Sequence, residues 1–199
     1  METHNKSLTR PITMTLYTGR EVDIFNLKIE DIDIEDIAHS LSNLCRYGGH
    51  CLFHYSVALH SYLCSLVPGT KSEQLQFLLH DASEAYVNDL VRPIKHRVEM
   101  EKYREIEDSI QDLIFKRFNL PYPYSERVHE VDDKVLLDEI PNLIIMSDEI
   151  ILKSAESGLS TRDARKVLAQ EKLSKCKFPK ITPEEAKELF LNRFYELYE

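Results

Sequence analysis

The stretch from His80 to Asp89 places one histidine and three carboxylates, Asp81, Glu84 and Asp89, within barely three helical turns. Groups of these types can ligate a divalent metal, move protons, or simply meet water. On a helix advancing about 100° per residue, Leu75, Leu78, Leu79, Ala82, Ala85 and Tyr86 form one apolar stripe, and His80, Asp81 and Glu84 fall opposite it. A solvated polar face is the ordinary reading of such a pattern. Phe77 and Val87 lie off the leucine stripe, however, so the polar face is expected to be covered, and covered ionisable groups need partners or a metal.

Further ligands are available elsewhere. His60 sits between Leu59 and Ser61 in a mostly apolar helix predicted from Tyr55 to Val67 and closed by Pro68-Gly69. Both of its ring nitrogens must be satisfied there, by a backbone carbonyl or by a metal with a further acceptor behind it. Asp132 follows Val131, a core position of a helix through Val128, Val135 and Leu136, and is expected to point partly inward. Two imidazoles and two carboxylates from three helices suit a divalent metal of octahedral preference, with positions left for water and a substrate oxygen; the set does not fix the ion among Mn, Co, Mg and Zn.

Candidate anion contacts flank this set. The loop Cys45-Arg46-Tyr47-Gly48-Gly49-His50 offers an arginine for phosphate oxygens, a ring for stacking and a histidine donor; the alternative is a solvent loop ending a helix. Arg92-Pro93-Ile94-Lys95-His96-Arg97 opens the next helix as either a phosphate clamp or a solvated helix start.

The elements that must position these residues are helical. Ile34, Ile37, Ala38, Leu41 and Leu44 predict a helix after Asp33, with His39 as a packing histidine. Thr70-Lys71-Ser72-Glu73 reads as a capping box opening the central helix, which Asn88-Asp89 ends. A helix is predicted from Arg92 to about Phe118, and further ones around 143–154, 161–173 and 183–198. Thr15 to Arg20 reads as a short strand and turn. The expectation is an all-α, single-domain bundle over 1–199: an irregular segment at 1–30, a core at 31–140, and C-terminal helices at 141–199.

Composition narrows the function. A net charge of −9 on 199 residues argues against a nucleic-acid polymer as partner, because tracking phosphates needs a basic stripe. No segment is apolar enough to span a bilayer and Met1 to Thr18 lacks a signal-peptide core, so a cytoplasmic protein with no membrane partner is expected. The four cysteines fall outside any Cys-x-x-Cys spacing and read as buried small hydrophobes, not as disulfides or a zinc finger.

In these motifs the chain resembles the HD-domain phosphohydrolases, whose signature is a distant His, an adjacent His-Asp and a later Asp. Cys45-Arg46-Tyr47-x-Gly49-His50, Tyr55-Ser56-Val57-Ala58-x-His60-Ser61, His80-Asp81-Ala82-Ser83-Glu84-Ala85-Tyr86 and Asp89-Leu90-x-x-Pro93-x-Lys95 resemble the bacterial and phage 5′-deoxynucleotidase-like branch. The likeness runs from about Asp31 to Glu139. It implies an HD-type helical bundle in which His60, His80, Asp81 and Asp132 hold the metal, and Glu84 and Asp89 handle water and leaving group in an order left open. It also implies that Arg46 holds the 5′-phosphate. Tyr47 stands where that branch has tryptophan, so no sugar preference is carried over. A homo-oligomer acting on a small nucleotide is implied. Arg92, Lys95, His96 and Arg97 favour a dATP-type dNTP triphosphohydrolase; a 5′-deoxynucleotidase and a non-catalytic nucleotide-sensing module are the alternatives.

Overall fold

A computed structural model describes residues 12–199. The expectation for 1–30 therefore falls partly outside the described residues. Within them, β1 (Met14–Thr15) and β2 (Glu21–Val22) form an antiparallel hairpin pairing Met14 with Val22, which matches the strand and turn read from Thr15 to Arg20.

The remainder is all-α. Helix α1 (Ile34–Asn43) starts at Asp33, whose side chain accepts from the Glu35 N–H, and buries Ile34, Ile37, Ala38 and Leu41. His39 does pack, with its ring stacked 3.7 Å from that of Tyr17. Helix α2 (Val57–Ser65) is capped by Ser56 and is buried nearly all round. Helix α3 (Lys71–Leu79) opens with the expected reciprocal cap between Thr70 and Glu73.

Two expected long helices are interrupted. The central one stops at Leu79, turns through His80 to Ser83, and resumes as α4 (Glu84–Val87) before Asn88 takes a left-handed φ of 70°. The one predicted from Arg92 to Phe118 is α5 (Arg92–Lys95), then a turn and a short 3-10 segment, then α6 (Glu101–Arg117). Arg104 holds that turn, because its guanidinium donates to the carbonyls of Lys95 and Arg97 at 2.6 and 2.8 Å. Helix α7 (Glu126–Leu143) runs past Pro141 and crosses the expected 140/141 boundary, so α8 starts later than predicted, at Ser147–Ser157. Helices α9 (Thr161–Lys175) and α10 (Pro183–Tyr198) follow their Ser160 and Thr182 caps.

The C-terminal helices are not one appendage. Helix α10 packs on α1, α2 and α3, burying Phe190 completely and Phe194 almost so, while α8 and α9 pair mainly with each other. Phe190 therefore belongs to the same core as Ile37 and Leu59. Among the described residues no helix is long and apolar enough to cross a membrane. Phe190→Ala should lower the unfolding free energy by about 3–5 kcal/mol in a urea titration; a loss under about 1 kcal/mol would place α10 outside the core.

Candidate metal centre

Three elements bring His60, His80, Asp81 and Asp132 together. His60 comes from α2, His80 and Asp81 from the interruption after α3, and Asp132 from α7. His60 Nε2 lies 3.1 Å from Asp132 Oδ1 and 3.9 Å from Asp81 Oδ2; His80 Nε2 lies 3.2 Å from Asp81 Oδ2 and 3.8 Å from Asp132 Oδ1. Despite this closeness His80 Nε2 is buried and has no hydrogen-bond partner. Buried polar atoms are rarely left so.

The far side of each imidazole explains the orientation. His60 Nδ1–H donates to Glu139 Oε1 at 2.6 Å, and His80 Nδ1–H donates to the Phe77 carbonyl at 2.8 Å. With both Nδ1 atoms committed as donors, both Nε2 atoms face the carboxylates, which is how histidine ligands are oriented by their outer partners. Cys64 Sγ is 3.5 Å from His60 Nε2, and the buried group His60, Cys64 and His80 could hold a metal ion. Cys64, one turn after His60, is buried among Phe77, Val128 and Val131 as expected of a small hydrophobe and is also a possible ligand, whereas the other cysteines are only half-buried.

The electrostatics fit a cation. Burial should depress the pKa of both imidazoles, and for His60 the Arg46 charge adds to that. The surrounding acids, Asp81 and Asp132 at His80 and Cys64, Glu139 and Asp132 at His60, overcome it and raise both well above the ordinary histidine value. Burial pushes Asp81 and Asp132 upward, yet the two histidines hold both carboxyls far below the usual range. Carboxylates that raise the pKa of buried imidazoles in this way favour positive charge at the centre of the cluster.

Glu139 is the residue that sequence reading missed. It is fully buried, and its carboxylate accepts from His60, from the Tyr55 and Tyr47 hydroxyls at 2.8 and 2.7 Å, and from Arg46 Nε at 3.2 Å. Burial opposes its charge, but His60 and Arg46 outweigh that and bring its pKa down to about 2. The available signal was its spacing from Asp132, two helical turns along α7 and on the same face. Gln111 on α6 was also missed. Its amide accepts from the Ser83 N–H at 3.0 Å and donates to the Leu79 carbonyl at 2.7 Å, so it satisfies the backbone groups that the break around His80 and Asp81 leaves open.

A cavity of about 720 Å³ opens over the cluster, lined by Arg46, Tyr47, Glu84, Asp89, Arg92 and Lys95 among others. His50 is the exception: it is exposed and does not line the cavity. Left-handed φ values at Tyr47, Gly48 and Gly49 turn the chain back before His50, which leaves it on the outer side. The predicted basic clamp is also changed. Arg92 pairs with Asp132 and Asp133 at 2.9 and 3.2 Å, Lys95 with Glu107 at 2.7 Å, and Arg97 with Glu99, away from the cavity. Glu84 is buried with Oε2 unpartnered, 3.8 Å by its other oxygen from Lys95; burial first, then Asp81 and Asp89, raises its pKa well above the ordinary carboxyl value. Burial raises Asp89 as well.

The fold and site define an all-helical protein with a buried group of His60, Cys64 and His80 that could hold a metal ion, flanked by Asp81 and Asp132 beneath an open cavity. The chain belongs to the family of an Escherichia coli (strain K12) relative, uncharacterized protein YfdR, to which it is 38% identical over 124 residues, 62% of this chain and 67% of that one. An uncharacterized Rhodobacter capsulatus protein is 35% identical over 114 residues, covering 53% of this chain and just over half, 58%, of its own length. No family model matches the chain.

Removing the Glu139 carboxylate would strand a buried arginine and histidine together. Glu139→Ala should cost about 3–5 kcal/mol in denaturant unfolding, whereas Glu130→Ala, exposed on the same helix, should stay within about 0.5 kcal/mol. Equal effects would remove Glu139 from its organising place.

Proposed function

We propose that the chain is a divalent-metal-dependent hydrolase of the 5′-phosphoester of (deoxy)nucleotides. The observation that carries this reading is the convergence of His60, His80, Asp81 and Asp132 with the His80 Nε2 atom unpartnered, directly beneath a cavity of nucleotide size. These four would hold the ion with Cys64 beside them. A thiol next to two imidazoles favours Zn or Co over Mg among the ions considered. Such an ion lowers the pKa of water and polarises a phosphoryl oxygen.

The chain's own residues account for the rest. Arg46, its guanidinium 3.6 Å from Asp81, supplies positive charge where the equatorial oxygens of the phosphoryl group would lie. As a water oxygen bonds to phosphorus and the bond from phosphorus to O5′ breaks, the departing oxygen needs a proton. Glu84, whose pKa burial and then Asp81 raise above the ordinary carboxyl value, donates it. Asp89, more open to solvent than Glu84, takes the proton that the water loses.

Chain length of the substrate turns on free positive charge. The sequence favours a triphosphate through Arg92, Lys95, His96 and Arg97. The commitment of Arg92 and Lys95 to carboxylates, and the placing of Arg97 outside the cavity, favour the monophosphate reaction of a 5′-deoxynucleotidase.

The test is product analysis with dAMP, AMP, dATP, dGTP and ATP, each with Mg, Mn, Co or Zn. Nucleoside should appear with at least one ion and disappear with chelator, and Glu84→Gln should lower kcat by about 10²–10⁴-fold. Inorganic phosphate as co-product identifies the nucleotidase and inorganic triphosphate the triphosphohydrolase. Nucleotide binding without turnover under every ion would replace the enzyme with a sensing module.

A further inference from the structure

We propose that Cys45 and Cys51 form a reversible disulfide that closes the turn carrying Arg46 and Tyr47. Their sulfurs, six residues apart in sequence, lie 3.4 Å from each other. A disulfide needs about 2.05 Å, so the remaining approach is small enough for side-chain torsions and a slight tightening of the turn. Both cysteines are half-buried, within reach of a small molecule, and the other two are elsewhere: Cys64 is buried beside His60, and Cys176 follows α9.

The backbone brings this pair together. The ends of the turn are tied, since the Arg46 N–H donates to the Tyr55 carbonyl at 2.9 Å within a bridge between Cys45 and Ser56. Between those ends Tyr47, Gly48 and Gly49 have φ values of 59°, 59° and 78°, a run of left-handed residues that reverses the chain sharply. Tyr47 adopts this conformation without being glycine, and its hydroxyl is fastened to Glu139. The Cys51 sulfur faces the carbonyls of Phe53 and Arg46 at 3.0 and 3.8 Å, both inside the same loop. No partner outside the loop has to be given up when the sulfurs join.

The oxidant is a low-molecular-weight disulfide. The Cys45 thiolate attacks one of its sulfurs, which forms a mixed disulfide and releases one thiol; the Cys51 sulfur then attacks the Cys45 sulfur and releases the second. The two cysteine protons end on the two released thiols, the cysteines are oxidised and the small disulfide is reduced. Burial, followed by the neighbouring Cys45, pushes the Cys51 thiol up to about 11, which leaves it little thiolate, so the second step relies on the 3.4 Å proximity of the two sulfurs. The closed ring contains Arg46 and Tyr47 and limits the freedom of both. Any effect on catalysis rests on the function proposed above; the disulfide itself does not.

The full chain would be treated with excess glutathione disulfide, and then with dithiothreitol, and followed by intact mass, peptide mapping and amide hydrogen exchange. The expected result is the loss of two hydrogens, one cross-link joining Cys45 to Cys51, and exchange of the amides from Tyr47 to Phe53 slowed several-fold, all reversed by the reductant. Cys45→Ser and Cys51→Ser should each abolish the link; Cys64→Ser and Cys176→Ser should retain it. Persistent glutathione adducts without an internal link, a link to Cys64 or Cys176, or unchanged exchange in the linked protein would overturn the proposal. These readouts do not depend on nucleotide hydrolysis, so failure here and failure of the proposed activity are separable.

Discussion

The carboxylate of Glu139 is the constraint on which the site depends. A fully buried negative charge is costly unless it is both paired and hydrogen-bonded, and here its partners come from three places: Arg46 and Tyr47 in the turn after α1, Tyr55 just before α2, and His60 within α2. Satisfying one anion therefore locks the turn and α2 against α7. The same bond fixes the ring of His60, so its Nε2 faces Asp132 two turns earlier on the helix that carries Glu139.

The second constraint is the interruption at His80. A continuous helix from Thr70 to Val87 would satisfy its own backbone, but it would leave adjacent His80 and Asp81 pointing about 100° apart. Breaking it lets both approach the cluster and exposes backbone groups to an apolar interior, where they require partners. The side chain of Gln111 supplies one acceptor and one donor to those groups, and the Phe77 carbonyl takes the His80 Nδ1–H. Arg92 acts differently, pairing with Asp132 from the cavity side at 2.9 Å and so placing a cation against a carboxylate of the cluster.

Much of this was legible in the chain itself. Amphipathic spacing located α1 and α7, an apolar run closed by Pro68-Gly69 located α2, and the Thr70, Ser160 and Thr182 caps marked three helix starts at the right residues, because periodicity, composition and capping are local properties. That His60, His80, Asp81 and Asp132 belong together was suggested by residue type and by the family resemblance, and their imidazole–carboxylate distances of 3.1–3.9 Å bring them together. The two helix breaks did not, since the groups that stabilise them, Gln111 and Arg104, lie far along the chain or act through backbone carbonyls. Glu139 looked like an ordinary acid in a polar stretch, and only the tertiary approach of Tyr47, Tyr55 and His60 distinguishes it. His50 was misplaced because three successive left-handed residues redirect the chain, a geometry that a Gly-Gly pair permits but does not specify.

The central claim is that the two histidines and two aspartates form a metal centre. The measurement that tests it most directly is metal content by elemental analysis of purified protein after equilibration with Zn, Mn or Co and desalting, for the wild type and for Asp81→Asn. The account predicts about one tightly held ion per chain in the wild type, in line with the one group among the described residues, His60, Cys64 and His80, that could hold a metal, and its loss in a variant that remains folded. A folded wild-type protein that retains no ion, or an Asp81→Asn variant that retains the same ion as fully, would contradict it.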